Sequence, residues 1–270
     1  MPTITTSAGP VEYREVGRGM PLLLLHGTPG GSDQGVAAAR VLGLDARVIA
    51  PSRPGYLGTP LSVGRTPIEQ AVAMVALLDG LEVDRAVVLG VSGGGMTARA
   101  LAARHPGRVR GLVLWSAVGA PMRIPAWPLL HGPLSRRAVE EALLRRLRRS
   151  PRLLVGGARD ARSVDAALAI AETVFPIGDR RDGLANDALQ ARRFDVGSAS
   201  KITAPVLVVH GTQDRNVPYR HATRAMHSLP HARLVTVPGA NHWTTAGDPA
   251  AAVALAAFLA GLADGGRPRP

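Results

Sequence analysis

Gly90-Val91-Ser92-Gly93-Gly94 follows directly on the apolar run Ala86-Val87-Val88-Leu89 and leads directly into a helix-forming stretch, Met96–Arg104. No other feature constrains the chain as strongly. A G-x-S-x-G set between a strand and a helix forces its serine into a tight turn, with the hydroxyl exposed above a sheet. Glycine at 90 and 94 lets strand and helix approach closely enough for that turn. The pattern alone is weak evidence in a chain with 31 glycines; its setting gives it weight. A phosphate-cradling turn is the alternative. The first βα unit has neither G-x-x-x-x-G-K-[ST] nor G-x-G-x-x-G to support it.

The rest of the chain alternates short apolar runs with helical segments, which predicts an α/β fold: a mostly parallel sheet with helices on its faces. Val11–Val16 alternates and reads as an early edge strand. Leu22–Leu25, Arg47–Ala50, Ala86–Leu89, Val109–Trp115, Val206–His210 and Leu234–Val237 read as further strands. Thr66–Leu78 has helical spacing, with Thr66 as N-cap, Pro67 at the first helical position and Asp79-Gly80 as the stop. Gly94–Arg104, Tyr219–Ser228 and Pro249–Leu262 read as helices, and Asp264–Pro270 as a frayed tail. Between Ser116 and Ser200 strand-like runs vanish, and helices are expected near Arg136–Arg149, Asp160–Val174 and Asp182–Phe194. The expected organisation is a core of residues 1–118 and 197–270 with a helical lid of residues 119–196.

A serine hydroxyl needs a base within hydrogen-bond reach, and the base needs a carboxylate to orient it. In a strand–elbow–helix protein the chain order is Ser, then Asp or Glu, then His. Asp214 lies in the loop after the Val206–His210 strand, and His242 in the loop after Leu234–Val237. Ser92, Asp214 and His242 thus all lie past the C-terminal ends of strands, where open α/β sheets place ligands. Asp160, Asp165, Asp179, Asp182, Asp187 and Asp195 fall in or beside the lid. His210 ends a strand and reads as buried and structural. His105 sits before a proline at a helix end, and His131, His221, His227 and His231 read as solvated. The oxyanion donors expected are the N–H groups of Gly93 and of Thr28, because Pro29 has none to give.

His26-Gly27-Thr28-Pro29-Gly30 resembles the HGxPG segment of the α/β-hydrolase superfamily. Ser52-Arg53-Pro54-Gly55-Tyr56 resembles its (D/S)RPGxGxS loop, with Gly58 one place late. Gly90–Gly94 resembles its elbow, His210–Asp214 its HGxxD acid loop and Gly239–His242 its GxxH base loop. The resemblance covers nearly the whole chain and implies a serine hydrolase acting through Ser92, His242 and Asp214, with no cofactor and no metal. Substrate is not implied, because one fold hosts many chemistries. Haloalkane dehalogenases and epoxide hydrolases of this fold use Asp where Ser92 stands. Epoxide hydrolases also use lid tyrosines, and Tyr13, Tyr56 and Tyr219 all lie outside the lid. Proline iminopeptidases usually carry Trp where Gly93 stands. Carbon–carbon bond hydrolases and cofactor-free haloperoxidase-type enzymes share the triad. An ester hydrolase leads these readings; a non-catalytic binding protein on the same fold is the contrasting one.

Charge needs a separate account, since the net formal charge is +12. Lys201 is the only lysine, and an arginine-, alanine- and glycine-rich chain is what GC-rich coding tends to produce. Aromatic residues make up 3%, too few for a base-stacking surface, so no nucleic-acid partner is expected. Arg145, Arg146, Arg148, Arg149 and Arg152 form a basic run read as a solvated helix face, with Leu143, Leu144 and Leu147 turned inward. Met122, Trp127, Leu130 and Trp243 are candidates for the wall of a substrate pocket that takes a small molecule. No apolar run reaches 18 residues, so no membrane span is expected. The opening MPTITTSAGPVEY lacks a basic, apolar leader, and a cytoplasmic monomer or homodimer without disulfides is the expectation.

Overall fold

The computed structural model describes residues 2–156, 160–195, 201–229 and 231–264. In chain order its elements are β1 (Thr3–Thr6), β2 (Gly9–Val16), β3 (Pro21–Leu25), α1 (Ser32–Val41), β4 (Arg47–Pro51), α2 (Pro67–Gly80), β5 (Ala86–Val91), α3 (Gly94–Arg104) and β6 (Val109–Trp115). Helices α4 (Trp127–His131), α5 (Arg137–Arg149), α6 (Arg152–Val155), α7 (Ala161–Glu172) and α8 (Arg181–Arg192) follow. Then come β7 (Val206–Gly211), α9 (Arg220–Ser228), β8 (Ala232–Val237) and α10 (Pro249–Asp264). Of the tail read at Asp264–Pro270, Asp264 instead ends α10, while residues 265–270 and the boundary between residues 196 and 197 lie outside the described residues.

Among the described residues eight strands form one sheet in the order β1-β2-β4-β3-β5-β6-β7-β8. β1 pairs antiparallel with β2 and β2 with β4, and every other pairing is parallel. The Val11–Val16 run is therefore not at the sheet edge. Thr3–Thr6, four β-branched residues too short to show a period, pairs outside it and takes that place. From β3 the chain steps to β4 on one side, then returns to β5 on the other. The helices that follow β3 and β5, α1 and α3, therefore go to opposite faces of the sheet. This switch point at the carboxyl ends of the strands is where an open α/β sheet places a ligand.

Residue parity along the strands builds two cores. Leu23, Leu25, Val88, Leu112, Leu114 and Val208 pack with α2, α3 and α9. Leu22, Leu24, Val87, Leu89, Val113 and Val209 pack on the other face with α1 and α10. All of these are buried, so the central strands read as unbroken apolar runs rather than alternating ones. Helix α2 starts at a complete capping box: the Thr66 hydroxyl accepts from the Glu69 N–H at 3.2 Å, and the Glu69 carboxylate accepts from the Thr66 N–H at 2.9 Å. Helix α1 has no sequence signal, because Gly35 interrupts it. A Cβ at 35 would sit 2.6 Å from the Ala50 Cβ, so the glycine lets α1 lie close on β4.

Between β6 and β7 the described chain is helical only. Helix α5 buries Leu147, half-buries Leu143 and Leu144, and turns Arg145, Arg146, Arg148 and Arg149 to solvent. Arg148 pairs with Glu172 at 2.7 Å and Arg145 with Glu141 at 4.0 Å. Among the described residues no helix is long and apolar enough to cross a membrane.

Candidate active site

Ser92 follows β5 and precedes α3 with φ +50°, a left-handed conformation that costs a non-glycine residue about 1–3 kcal/mol. The turn is held at both ends. The Ser92 N–H donates to Trp115 O at 3.0 Å, and its carbonyl accepts from Gly95 and Val118 at 3.1 and 2.9 Å. Glycine is required at 94 because a Cβ there would run into the carbonyl oxygens of Leu25 and His26. At 93 a Cβ would run into the Thr28 hydroxyl. The motif spacing thus brings the loops after β3 and β5 into direct contact.

Asp214 is buried in the loop after β7. One carboxylate oxygen accepts the N–H groups of Asn216 and Val217 at 2.9 and 2.8 Å. The other accepts His242 Nδ1 at 2.7 Å and lies 3.4 Å from His210 Nε2. Burial opposes its ionisation, yet hydrogen bonds from His210, His242 and Val217 hold its carboxyl well below the usual carboxylate range. With Nδ1–H committed to Asp214, His242 keeps Nε2 as its acceptor. His210 is buried and its Nε2 lies 2.7 Å from Val217 O, so it braces the acid loop.

Ser92, Gly93, Thr28 and His242 share the wall of one cavity of about 1020 Å³. Among the described residues neither the Thr28 N–H nor the Gly93 N–H has a protein acceptor, and Gly93 stands at the N-terminus of α3. Met122, Trp127 and Trp243 also line this cavity. Leu130 does not. It packs against Ala126, Ile177 and Leu184 beside the cavity, because α4 is a single turn whose other face carries Leu129 to the wall. Trp127 is 70% exposed and stands at the opening. Among the described residues no group of three or more His, Cys, Asp or Glu is placed to hold a metal ion.

Sequence reasoning missed what ties the Thr28 loop down. Arg53, wholly buried, donates to both oxygens of Asp187 at 2.9 and 2.6 Å, and to the carbonyls of His26 and Gly27 at 3.1 and 3.3 Å. Asp187 on α8 also accepts the Tyr56 hydroxyl at 2.6 Å and the Thr28 hydroxyl. Gln34 accepts the Gly27 N–H at 2.8 Å and donates to Pro29 O at 3.1 Å. An acid on a polar helix gives no sign of burial; an arginine inside a glycine- and proline-shaped loop was the available hint. His221, read as solvated, is buried instead, with Nδ1 accepting the Gly119 N–H at 3.2 Å. Helix α9 turns that face against the β6 loop.

Residues 20–247 match the model of the alpha/beta hydrolase fold. The chain belongs to the α/β-hydrolase fold family. Among curated α/β-hydrolase relatives, haloalkane dehalogenase 2 of Mycobacterium bovis is 30% identical over 88% of this chain and 87% of its own length. The 2-hydroxymuconate semialdehyde hydrolase of Pseudomonas putida is 29% identical over 84% of this chain and 82% of its own. Among solved structures, an alpha/beta hydrolase fold protein from Nakamurella multipartita superposes with a TM-score of 0.82 at 33% identity, covering 96% of this chain and 98% of that one.

Proposed function

We propose that this α/β-hydrolase is a serine hydrolase that cleaves an ester, or a related carbonyl bond, of a small and largely apolar substrate. Ser92 Oγ attacks the carbonyl carbon while His242 Nε2 takes its proton. The tetrahedral oxyanion is met by the Thr28 and Gly93 N–H groups. His242 then returns the proton to the leaving alkoxide, and the alcohol departs from an acyl-Ser92. A water gives a proton to His242 and attacks the acyl carbon. Collapse releases the acid and restores the Ser92 hydroxyl. Asp214 keeps its negative charge throughout and stabilises the imidazolium. Helices α4 to α8 act as the lid over this cavity.

The observation that supports the reading best is the His242–Asp214 hydrogen bond at 2.7 Å, in a site whose cavity wall also holds the Ser92 elbow. Serine at 92 speaks against dehalogenation, although a dehalogenase is among the relatives. Carbon–carbon bond hydrolysis is the second reading, favoured by the similarity to 2-hydroxymuconate semialdehyde hydrolase.

The test is hydrolysis of short and medium-chain chromogenic esters by wild type and Ser92→Ala side by side. A fall of about a hundredfold or more in kcat/KM in the mutant is expected. Equal trace activity in both would overturn the ester reading. Release of two carbonyl products from a vinylogous 1,5-diketone by wild type alone would then favour the second.

A further inference from the structure

The interior of the cavity is apolar, with Val118, Met122, Ile124, Ile170 and Leu184 in its wall. Its mouth has a different chemistry. Seven residues of the wall are exposed, and a residue that is both exposed and in the wall stands where the cavity meets solvent. Four of the seven are Arg123, Arg192, Arg215 and Arg220; the others are Pro125, Trp127 and Asn216. Among the described residues no Asp or Glu lines the cavity. Nor is any of these four guanidiniums hydrogen-bonded or ion-paired within the described protein.

Composition does not account for this. Basic residues are about one in four of the exposed residues among those described, but four in seven at the mouth, where no acid accompanies them. The α5 arginines, by contrast, point to solvent, and three of them (Arg137, Arg145 and Arg148) reach Glu141 or Glu172. Arg123 precedes α4, Arg192 ends α8, Arg215 follows Asp214, and Arg220 opens α9. Three separate stretches of chain therefore converge on one rim.

We propose that the substrate of this site is anionic: an apolar body that fills the cavity and ends in a carboxylate or phosphate held at the arginine rim. The inference rests on the cavity being the active site. Unpaired charges of one sign around an apolar mouth focus the field and raise the local concentration of the opposite ion. The guanidinium fork matches both anions in a bidentate way. Because the rim is exposed, its attraction weakens with salt.

The test reads binding and needs no turnover. All three tryptophans of the chain, Trp115, Trp127 and Trp243, line the cavity, so intrinsic fluorescence reports on it directly. Hexanoate, hexyl phosphate and hexan-1-ol are titrated at low salt and at about 0.3 M salt. At least one anion is expected to bind about tenfold or more tightly than the alcohol at low salt, with the advantage shrinking at high salt. The tighter anion names the headgroup. In R123Q/R192Q/R215Q/R220Q the ratio of anion to alcohol affinity falls to within about twofold of unity, while R145Q/R146Q/R148Q/R149Q on α5 keeps the wild-type ratio. Thermal melts check that both variants fold. Equal binding of anion and alcohol by wild type, no saturable binding of either anion, or a preference that survives in the rim variant would each overturn the proposal. Ester turnover without anion preference would sink this inference alone, and anion preference without Ser92-dependent turnover would sink the ester reading alone.

Discussion

The pairing of Arg53 with Asp187 shows how much one buried charge depends on its partner. Both side chains are almost fully removed from water, and the carboxylate accepts four donors: two from Arg53, one from Tyr56 and one from Thr28. Removing the carboxylate leaves a guanidinium buried with no counter-charge, the costly half of any buried ion pair. Asp187→Ala is therefore expected to lower the unfolding free energy by about 3–5 kcal/mol in urea titration, and Asp187→Asn by less, since the amide oxygen still accepts. A loss under about 1 kcal/mol in the alanine variant would mean that water reaches Arg53 after all. Glu12 braces the neighbouring loops in a similar way. It accepts from Ser32, Ser52 and the Gly58 N–H at 2.6, 3.0 and 2.8 Å, and a Cβ at 58 would stand 2.6 Å from its carboxylate, which accounts for the glycine one place late in the RPG loop.

Helix α8 is seated on that same loop through backbone. The Gly183 N–H donates to Gly55 O at 2.8 Å, and a Cβ at 183 would run into the Tyr56 ring. The approach is possible only because neither chain carries a side chain there. Gly183→Val is expected to push α8 off the loop, at a cost of about 1–3 kcal/mol in denaturant titration and with faster proteolysis between β6 and β7. Unchanged stability and unchanged cleavage would show that the helix has another way to sit. The helix itself was legible from spacing. Its docking was not, because Gly183 looks in sequence like any weak point of a helix.

Acidification tests the molecule as a whole. His26 and His221 are buried, and burial with nearby arginines pushes both below the ordinary histidine value, His221 to about 4. Unfolding returns each to about 6.5, so between about pH 6.5 and 4 the unfolded chain binds more protons than the folded one. Stability is then fully present above about pH 6.5 and is lost as pH falls, with Asp214 adding to the loss below about pH 4. Melting temperature is expected to drop by roughly 5 °C or more between pH 7 and pH 5. A flat or rising profile over that window would contradict the buried neutral state of both rings.

The layers of this molecule differ in how far they could be read from sequence. Strands β3 to β7 are short runs buried along nearly their whole length, and α2 begins at its own capping box; such signals act within a few residues, so they survive as local pattern. The convergence of the loops that carry Ser92, Asp214 and His242 was legible for a related reason. Parallel βα units deliver the loops after β5, β7 and β8 to one end of the sheet, and the order along the chain is what points to the proposed triad. Arg53 and Asp187 stand 134 residues apart, and the four rim arginines come from stretches with no common period. Nothing local marks a charge that will be buried, or a basic residue that will face a mouth rather than open water. That depends on which faces the helices between β6 and β7 turn toward the sheet, and this is settled by packing between distant elements.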